Sequence, residues 1–160
     1  MRWIWIDKLI AFESGRRAVA VKNVSLAEEH LHDHFPHFPV MPEALMIEAM
    51  AQTGGILVGQ MRDFKEKVVL AKIQQAVFHD IVCPGDTLQL EARLESFANE
   101  AAGISGRITR GDTTIAEIDL MFSQLDQNLG GVVFPERNFV FEDSLFSTLL
   151  ATFTPEEHRT

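Results

Sequence analysis

An α+β fold, one antiparallel sheet wrapped around a single long helix, follows from three features of the chain. Residues 42–61 read as one continuous helix that is apolar nearly all round, with Glu43 and Glu48 its only charges. A helix of that kind has to be covered on most sides. Strand-like segments follow it at 67–79, 86–97, 100–110 and 113–124, and two more precede it. Short turns between such segments build an antiparallel meander, and curling that sheet around the helix buries both apolar surfaces at once.

In chain order, residues 3–13 and 16–24 are predicted as two strands joined at Ser14-Gly15, a hairpin signal. Ser25 followed three residues later by Glu28 resembles a capping box, which predicts a short helix ending in a histidine-rich loop. Pro42 suits the start of the main helix, where its missing N–H costs nothing. Glu43 beside it is favoured by the positive end of the helix dipole. In the sheet, Thr87-Leu88-Gln89-Leu90-Glu91-Ala92 alternates with a period of two. Pro84-Gly85-Asp86 and Arg110-Gly111-Asp112 supply turns. There are no internal repeats, so residues 1–125 read as one domain. Residues 126–160 read as an extension that opens on a Gly-Gly loop. Leu145, Leu149, Leu150 and Phe153 share one face there, predicting a short amphipathic helix packed on the same domain.

At 160 residues, with 46% hydrophobic and 23% charged, the chain suits one globular domain with a substantial core. A single cysteine, Cys83, excludes an internal disulfide framework and suits a reducing, cytoplasmic compartment. Its setting in the turn Cys83-Pro84-Gly85-Asp86 favours a structural thiol over a catalytic one. The net charge of −9 argues against nucleic-acid binding, which depends on neutralising phosphates. Basic stretches at Arg16-Arg17 and 65–72 leave an acidic partner open. The N-terminal run MRWIWIDKLIAF carries Asp7 and lacks a small-residue cleavage site, so it is not read as a secretory signal. Residues 44–61 are long enough to raise a membrane span. Glu48, Gln52 and the glycines 54, 55 and 59 favour a core helix and no membrane.

The polar residues that stand out lie between 30 and 52. Glu48 is surrounded by Ala44, Leu45, Met46, Ile47, Ala49, Met50 and Ala51, so it is expected to be buried, where a carboxylate is costly unless paired or protonated. Gln52 follows one helical turn later on the same face. Ala44, Ala51 and Gly55 border that face and leave room for a ligand chain or for another backbone. For Glu48 alone, a structural carboxylate and a catalytic one are equally good readings. The loop His30-Leu31-His32-Asp33-His34-Phe35-Pro36-His37 tips the balance. Its spacing is one residue short of the HxHxDH metal signature, and only His79 and His158 remain as distal imidazoles, so no metal is expected. His30, His32 and His37 read as solvated. His34 differs because Phe35 and Pro36 fix it at the mouth of an apolar segment. A neutral imidazole is the natural general base and a carboxyl in an apolar site the natural acid. Such a pair fits proton abstraction at one carbon with protonation of a departing hydroxyl. No G-x-S-x-G elbow exists for a serine hydrolase, and no Gly-rich nucleotide loop is present.

The stretch from Asp33 to Gln52, DHFPHFPVMPEALMIEAMAQ, resembles the β-hydroxyacyl-acyl-carrier-protein dehydratases of the FabZ/FabA type, whose pattern is G-H-F-P-x-x-P-[IV]-[MF]-P-G-x-L-x-x-E-x-x-A-Q. His34, Pro39, Pro42, Glu48 and Ala51-Gln52 all fall in register. The resemblance extends through Ile6-Asp7-Lys8, Arg17 to Val24 and Val82 to Asp86, and covers roughly residues 3–124.

The resemblance implies a hot-dog fold and a dehydration. His34 would be the base near the substrate's α-carbon, and Glu48 would assist loss of the β-hydroxyl as water. The backbone amide of Glu43 would polarise the thioester carbonyl, and Gln52 would orient the polar end of the site. It further implies a homodimer, possible assembly as a trimer of dimers, catalytic groups from different subunits, and an acyl chain carried on phosphopantetheine of an acyl-carrier protein or coenzyme A. No dissociable cofactor is implied. Asp33 and Glu43 stand where the family has glycine, the Leu-Pro-His-Arg-like lead-in is missing, and the tail is added. Two other readings stay in play: a hot-dog acyl thioesterase, in which the helix carboxylate activates water, and a non-catalytic acyl-binding protein. His34 in its Phe-Pro loop favours the dehydratase over the first, and retention of both His34 and Glu48 over the second.

Overall fold

The computed structural model describes residues 4–125 and Leu149. Strands β1 (Lys8–Glu13) and β2 (Arg17–Asn23) form a hairpin. Helix α1 (His30–Asp33) is a single turn, and α2 (Glu43–Gln60) is the long helix. Strands β3 (Lys67–Phe78), β4 (Thr87–Phe97), β5 (Ala101–Arg110) and β6 (Thr113–Leu125) complete a six-stranded sheet of order β1-β2-β4-β5-β6-β3. Every pairing is antiparallel. This is the hot-dog arrangement, and the elements fall within a residue or two of their predicted bounds, except β1 and α1, which begins later than its predicted start at Ser25. Residues 4–7 are not strand, although Asp7 N–H still donates to Val21 O at 2.7 Å.

Alternation in the sequence becomes the two faces of the sheet. Leu9, Ala20, Leu90, Ile108, Ala116 and Phe78 lie in one row across all six strands. All but Phe78 are at most 1% exposed. The adjacent row, Ala18, Ala92, Gly106 and Ile118, is mostly small, and Met50 of α2 fills the space it leaves. A β-carbon placed on Gly106 would lie 2.6 Å from Met50 Sδ and 2.8 Å from Ile118 O, so only glycine lets helix and sheet approach this closely. Ile56, Leu57, Leu88, Ile104 and Ile115 complete the core. Each such side chain contributes about 1.5–3 kcal/mol by leaving water.

Turn chemistry closes the hairpins. Gly15 and Gly111 adopt φ of 67° and 57°, which L side chains rarely take. The predicted capping box forms only in part. Glu28 Oε1 accepts from Ser25 N–H at 3.1 Å, but the backbone there makes a turn and the helix begins at His30. Pro42 is the residue before α2, not its first residue.

Loop 79–86 fixes the approach to α2. Arg110 donates to Asp86 at 2.8 Å, Asp80 at 2.6 Å and Ile81 O at 3.1 Å. The loop so held presents Val82 O to Met41 N–H at 2.8 Å, just ahead of the helix. Leu149 is helical and buried against the core. The rest of the predicted amphipathic helix, including Leu145, Leu150 and Phe153, lies outside the described residues. No described helix is long and apolar enough to cross a membrane.

Candidate active site

One expectation about α2 needs correction. Residues 53–59 are buried throughout, but the first half of the helix is not covered on every side. Glu43 and Ala44 are exposed, and Leu45, Ile47, Glu48 and Gln52 are half-buried. The sheet of one chain curls around only part of the helix, so apolar neighbours in sequence do not bury Glu48.

Glu48 is nonetheless held. Gln52 Nε2 donates to its Oε1 at 2.9 Å, as expected of residues one turn apart. Gln52 Oε1 in turn accepts the main-chain N–H of Trp5 at 2.8 Å. The segment before β1 therefore crosses the helix at the level of the carboxylate.

His34 follows α1 directly and is half-buried. Its loop closes on itself: Val40 N–H donates to His34 O at 3.0 Å, and Phe35 and Phe38 exchange main-chain bonds of 3.0 and 2.9 Å. The imidazole stacks on Phe35, ring centroids 4.2 Å apart, and its Nδ1 lies 3.3 Å from Val40 O. A carbonyl only accepts, so Nδ1 carries the hydrogen and Nε2 keeps the basic lone pair. Sequence proximity to prolines thus becomes a fixed tautomer. Phe35 and Phe38 remain 54% and 57% exposed, leaving the loop with an apolar outer surface.

At the start of α2 the first intrahelical bonds are donated by Leu45 and Met46 to Pro42 O, at 2.9 and 3.3 Å. The amides of Glu43 and Ala44 precede that ladder and stand at the positive end of the helix dipole. The Glu43 side chain is exposed and Asp33 is exposed beside His34. No hydrogen bond or ion pair joins His34 to Glu48 among the described residues of one chain. Among the same residues, no three His, Cys, Asp or Glu side chains converge as a metal site.

Sequence reasoning missed a polar cluster behind the site. Lys22 is only 6% exposed and pairs with Glu28 at 2.7 Å. The Trp5 ring stands 5.9 Å from Lys22 Nζ and meets His30 edge-on at 5.1 Å. His30, predicted as solvated, is instead partly buried, and burial lowers its pKa against the opposing pull of Glu28. Alternation carried the signal for Lys22, which continues the inward series Ala18, Ala20. A groove of about 1170 Å³ runs beside this cluster, with Trp5, Lys22, Pro42, Ala44 and Leu45 among its walls.

The arrangement offers a base with one free nitrogen, a hydrogen-bonded carboxyl and outward amides at a helix start. Comparisons with known proteins identify the family. The family model for a FabA-like domain matches residues 3–119. The 3-hydroxyacyl-acyl-carrier-protein dehydratase FabZ of Pelotomaculum thermopropionicum is 38% identical over 122 residues, covering 76% of this chain and 87% of that protein. The enzyme of the same name from Clostridium tetani is 42% identical over 118 residues, covering 73% and 83%. Among solved structures, the dehydratase heterocomplex ApeI:P from Xenorhabdus doucetiae superposes with a TM-score of 0.62 at 18% identity, covering 76% of this chain and 82% of that one. At that identity the likeness concerns the fold alone.

Proposed function

The chain belongs to the FabA-like family, and from that premise we propose that it is a 3-hydroxyacyl-thioester dehydratase, a hydro-lyase that leaves a trans-2-enoyl thioester. Its place is fatty-acid synthesis or a related lipid or polyketide assembly in the cytoplasm. The observation that carries the reading is that the family's register holds two groups, each oriented for proton transfer by its own hydrogen bond. His34 has Nδ1 turned to a carbonyl, and Glu48 has Oε1 engaged by Gln52.

The chemistry follows from those groups. Nε2 of His34 removes a proton from the α-carbon. The thioester oxygen takes up charge facing the Glu43 amide at the helix start. Glu48, as the carboxylic acid, protonates the β-hydroxyl, the C–O bond breaks and water leaves. The turnover ends with a protonated imidazole and a carboxylate, and the proton returns from one to the other before the next cycle. Both transfers use side chains, so no dissociable cofactor is required. The acyl chain arrives on the phosphopantetheine of an acyl-carrier protein or of coenzyme A.

We further propose that the working unit is a homodimer, with the possibility of further assembly into a trimer of dimers, and that each site takes His34 from one protomer and Glu48 from its partner. Support comes from the open side of α2 and from β3, an edge strand with Leu70 and Ile73 38% and 44% exposed.

Mass-resolved turnover of 3-hydroxyacyl thioesters, on carrier protein and on coenzyme A, tests the function. Loss of one water with the thioester kept is the expected result. Release of free acid would make the protein a thioesterase, and binding without either product would make it an acyl-binding protein.

A further inference from the structure

We propose that the main-chain N–H of Trp5 is a positioning group of the active site: it fixes the orientation of the Gln52 amide and thereby selects the oxygen of Glu48 that carries the transferred proton. The inference rests on the dehydratase reading and concerns how its acid is prepared.

A side-chain amide has two orientations of nearly equal shape, and its neighbours decide between them. Here one neighbour leaves no choice. The Trp5 N–H can only donate, and it lies 2.8 Å from Gln52 Oε1. Turning the amide over would set donor against donor at Trp5 and oxygen against Oε1 of Glu48. The observed orientation instead points Nε2 at Glu48 Oε1, 2.9 Å away. With Oε1 occupied as an acceptor, the acidic hydrogen belongs on Oε2. When that hydrogen leaves with the hydroxyl, the Gln52 N–H already faces the carboxylate that forms, so no dipole has to swing during the reaction.

The donor is useful only if the segment carrying it stays in place, and two sets of contacts hold it. The Trp5 ring is lodged between Lys22 Nζ and the edge of His30, with Lys22 itself buried and paired to Glu28. Two residues on, Asp7 N–H donates to Val21 O at 2.7 Å, and Asp7 Oδ2 accepts from the main chain and side chain of Asn23 at 2.6 and 3.0 Å. Trp5 thus sits at the crossing point of a tethered strap and the helix.

Amide hydrogen exchange and kinetics together test this. In Gln52→Leu, which removes the acceptor, exchange at the Trp5 amide should quicken by about tenfold or more, and in Gln52→Glu, which keeps an acceptor, by less than about twofold. The Asp7 amide serves as the internal control and should not change in either. In turnover, Trp5→Pro deletes the donor and should lower kcat about tenfold with KM within about twofold. The same substitution in a Gln52→Leu background should add almost nothing, because Trp5 acts through Gln52. Equal Trp5 exchange in the wild type and Gln52→Leu would overturn the clamp, as would kinetic losses that simply add. Should Trp5→Pro not fold, the exchange series decides alone. Wild-type protein that dehydrates no 3-hydroxyacyl thioester would sink the functional reading instead, and the two failures are told apart because exchange does not depend on turnover.

Discussion

From residue 53 to residue 59, α2 is buried at every position, whereas from 43 to 52 one side of it stands open. In the closed half, small residues let helix and sheet touch: a β-carbon on Gly54 would already lie 3.2 Å from Phe122 and 3.3 Å from Ile104. In the open half, Ala44, Leu45 and Ile47 have no comparable cover, and Glu48 and Gln52 sit along the same stretch. Apolar residues occur on both sides of the junction, Leu45 and Ile47 before it and Ile56 and Leu57 after it, so it is the reach of the sheet that divides the helix. On the proposed reading, the closed half serves stability and the open half serves substrate and partner. Substitutions on either side should therefore separate activity from stability.

The largest effect is expected at Glu48. Glu48→Gln keeps the volume and the acceptor for Gln52 but has no acidic hydrogen to give. We expect kcat for dehydration to fall by about 10²- to 10⁴-fold with the thermal midpoint essentially unchanged. Wild-type-like turnover would remove Glu48 from the mechanism. A large fall in the midpoint would mean that the open half is structural after all.

A second test breaks the comparison at the partner. His34→Ala and Glu48→Gln proteins, each inactive, are unfolded together and refolded as mixed dimers. If each site draws on both subunits, random mixing should restore about a quarter of wild-type activity, because half the dimers carry one intact site of two. No recovery in verified mixed dimers would place both groups of a site in one chain.

On the side of α2 that packs against the sheet, where Met50 is fully buried, the expected loss is of stability alone. Gly106→Ala sets a methyl group against Met50, which can move, and against Ile118 O, which is backbone and cannot. Urea unfolding should show a loss of about 1–3 kcal/mol, while kcat per folded molecule stays near wild type. A selective loss of kcat would tie the helix-sheet seam to the site and weaken the division.

What the sequence disclosed has the same boundary. Leu88, Leu90 and Ala92 point inward as their alternation says, and the helix ends within a residue of prediction, because these signals are local. Strand order is not local: β3 pairs with β6 at the far edge, and nothing in Lys67–Phe78 itself announces that. The neighbourhood of Glu48 and Gln52 was legible from their spacing. The openness around Glu48 was not, since an apolar residue looks alike whether it faces its own sheet or another surface. The contact of Trp5 with Gln52 uses a main-chain N–H, which leaves no mark in the sequence at all. Lys22 carried a signal in its alternation with Ala18 and Ala20, whereas His30 was readable as polar but not as buried, because Trp5, which packs against it, comes from a separate segment.

The smallest effect, and the finest test of the two halves, concerns His30. Burial holds its pKa below the ordinary value of 6.5; Glu28 opposes this, while Lys22 and His34 act in the same direction as burial. Above 6.5 the ring is neutral in folded and unfolded chains alike and adds no pH dependence. As the pH falls through 6.5, the unfolded chain takes up the proton first, so stability declines until the folded-state value is passed. His30→Asn should make the fall in unfolding midpoint just below pH 6.5 shallower. His30 supports Trp5, and Trp5 reaches the open half of α2. Mild acid should therefore loosen amide protection at Trp5 and in the first turns of α2 while residues 53–59 keep theirs. Equal loss in both halves would show that the helix responds as one body, and that the open half draws its stability from the same core as the closed one.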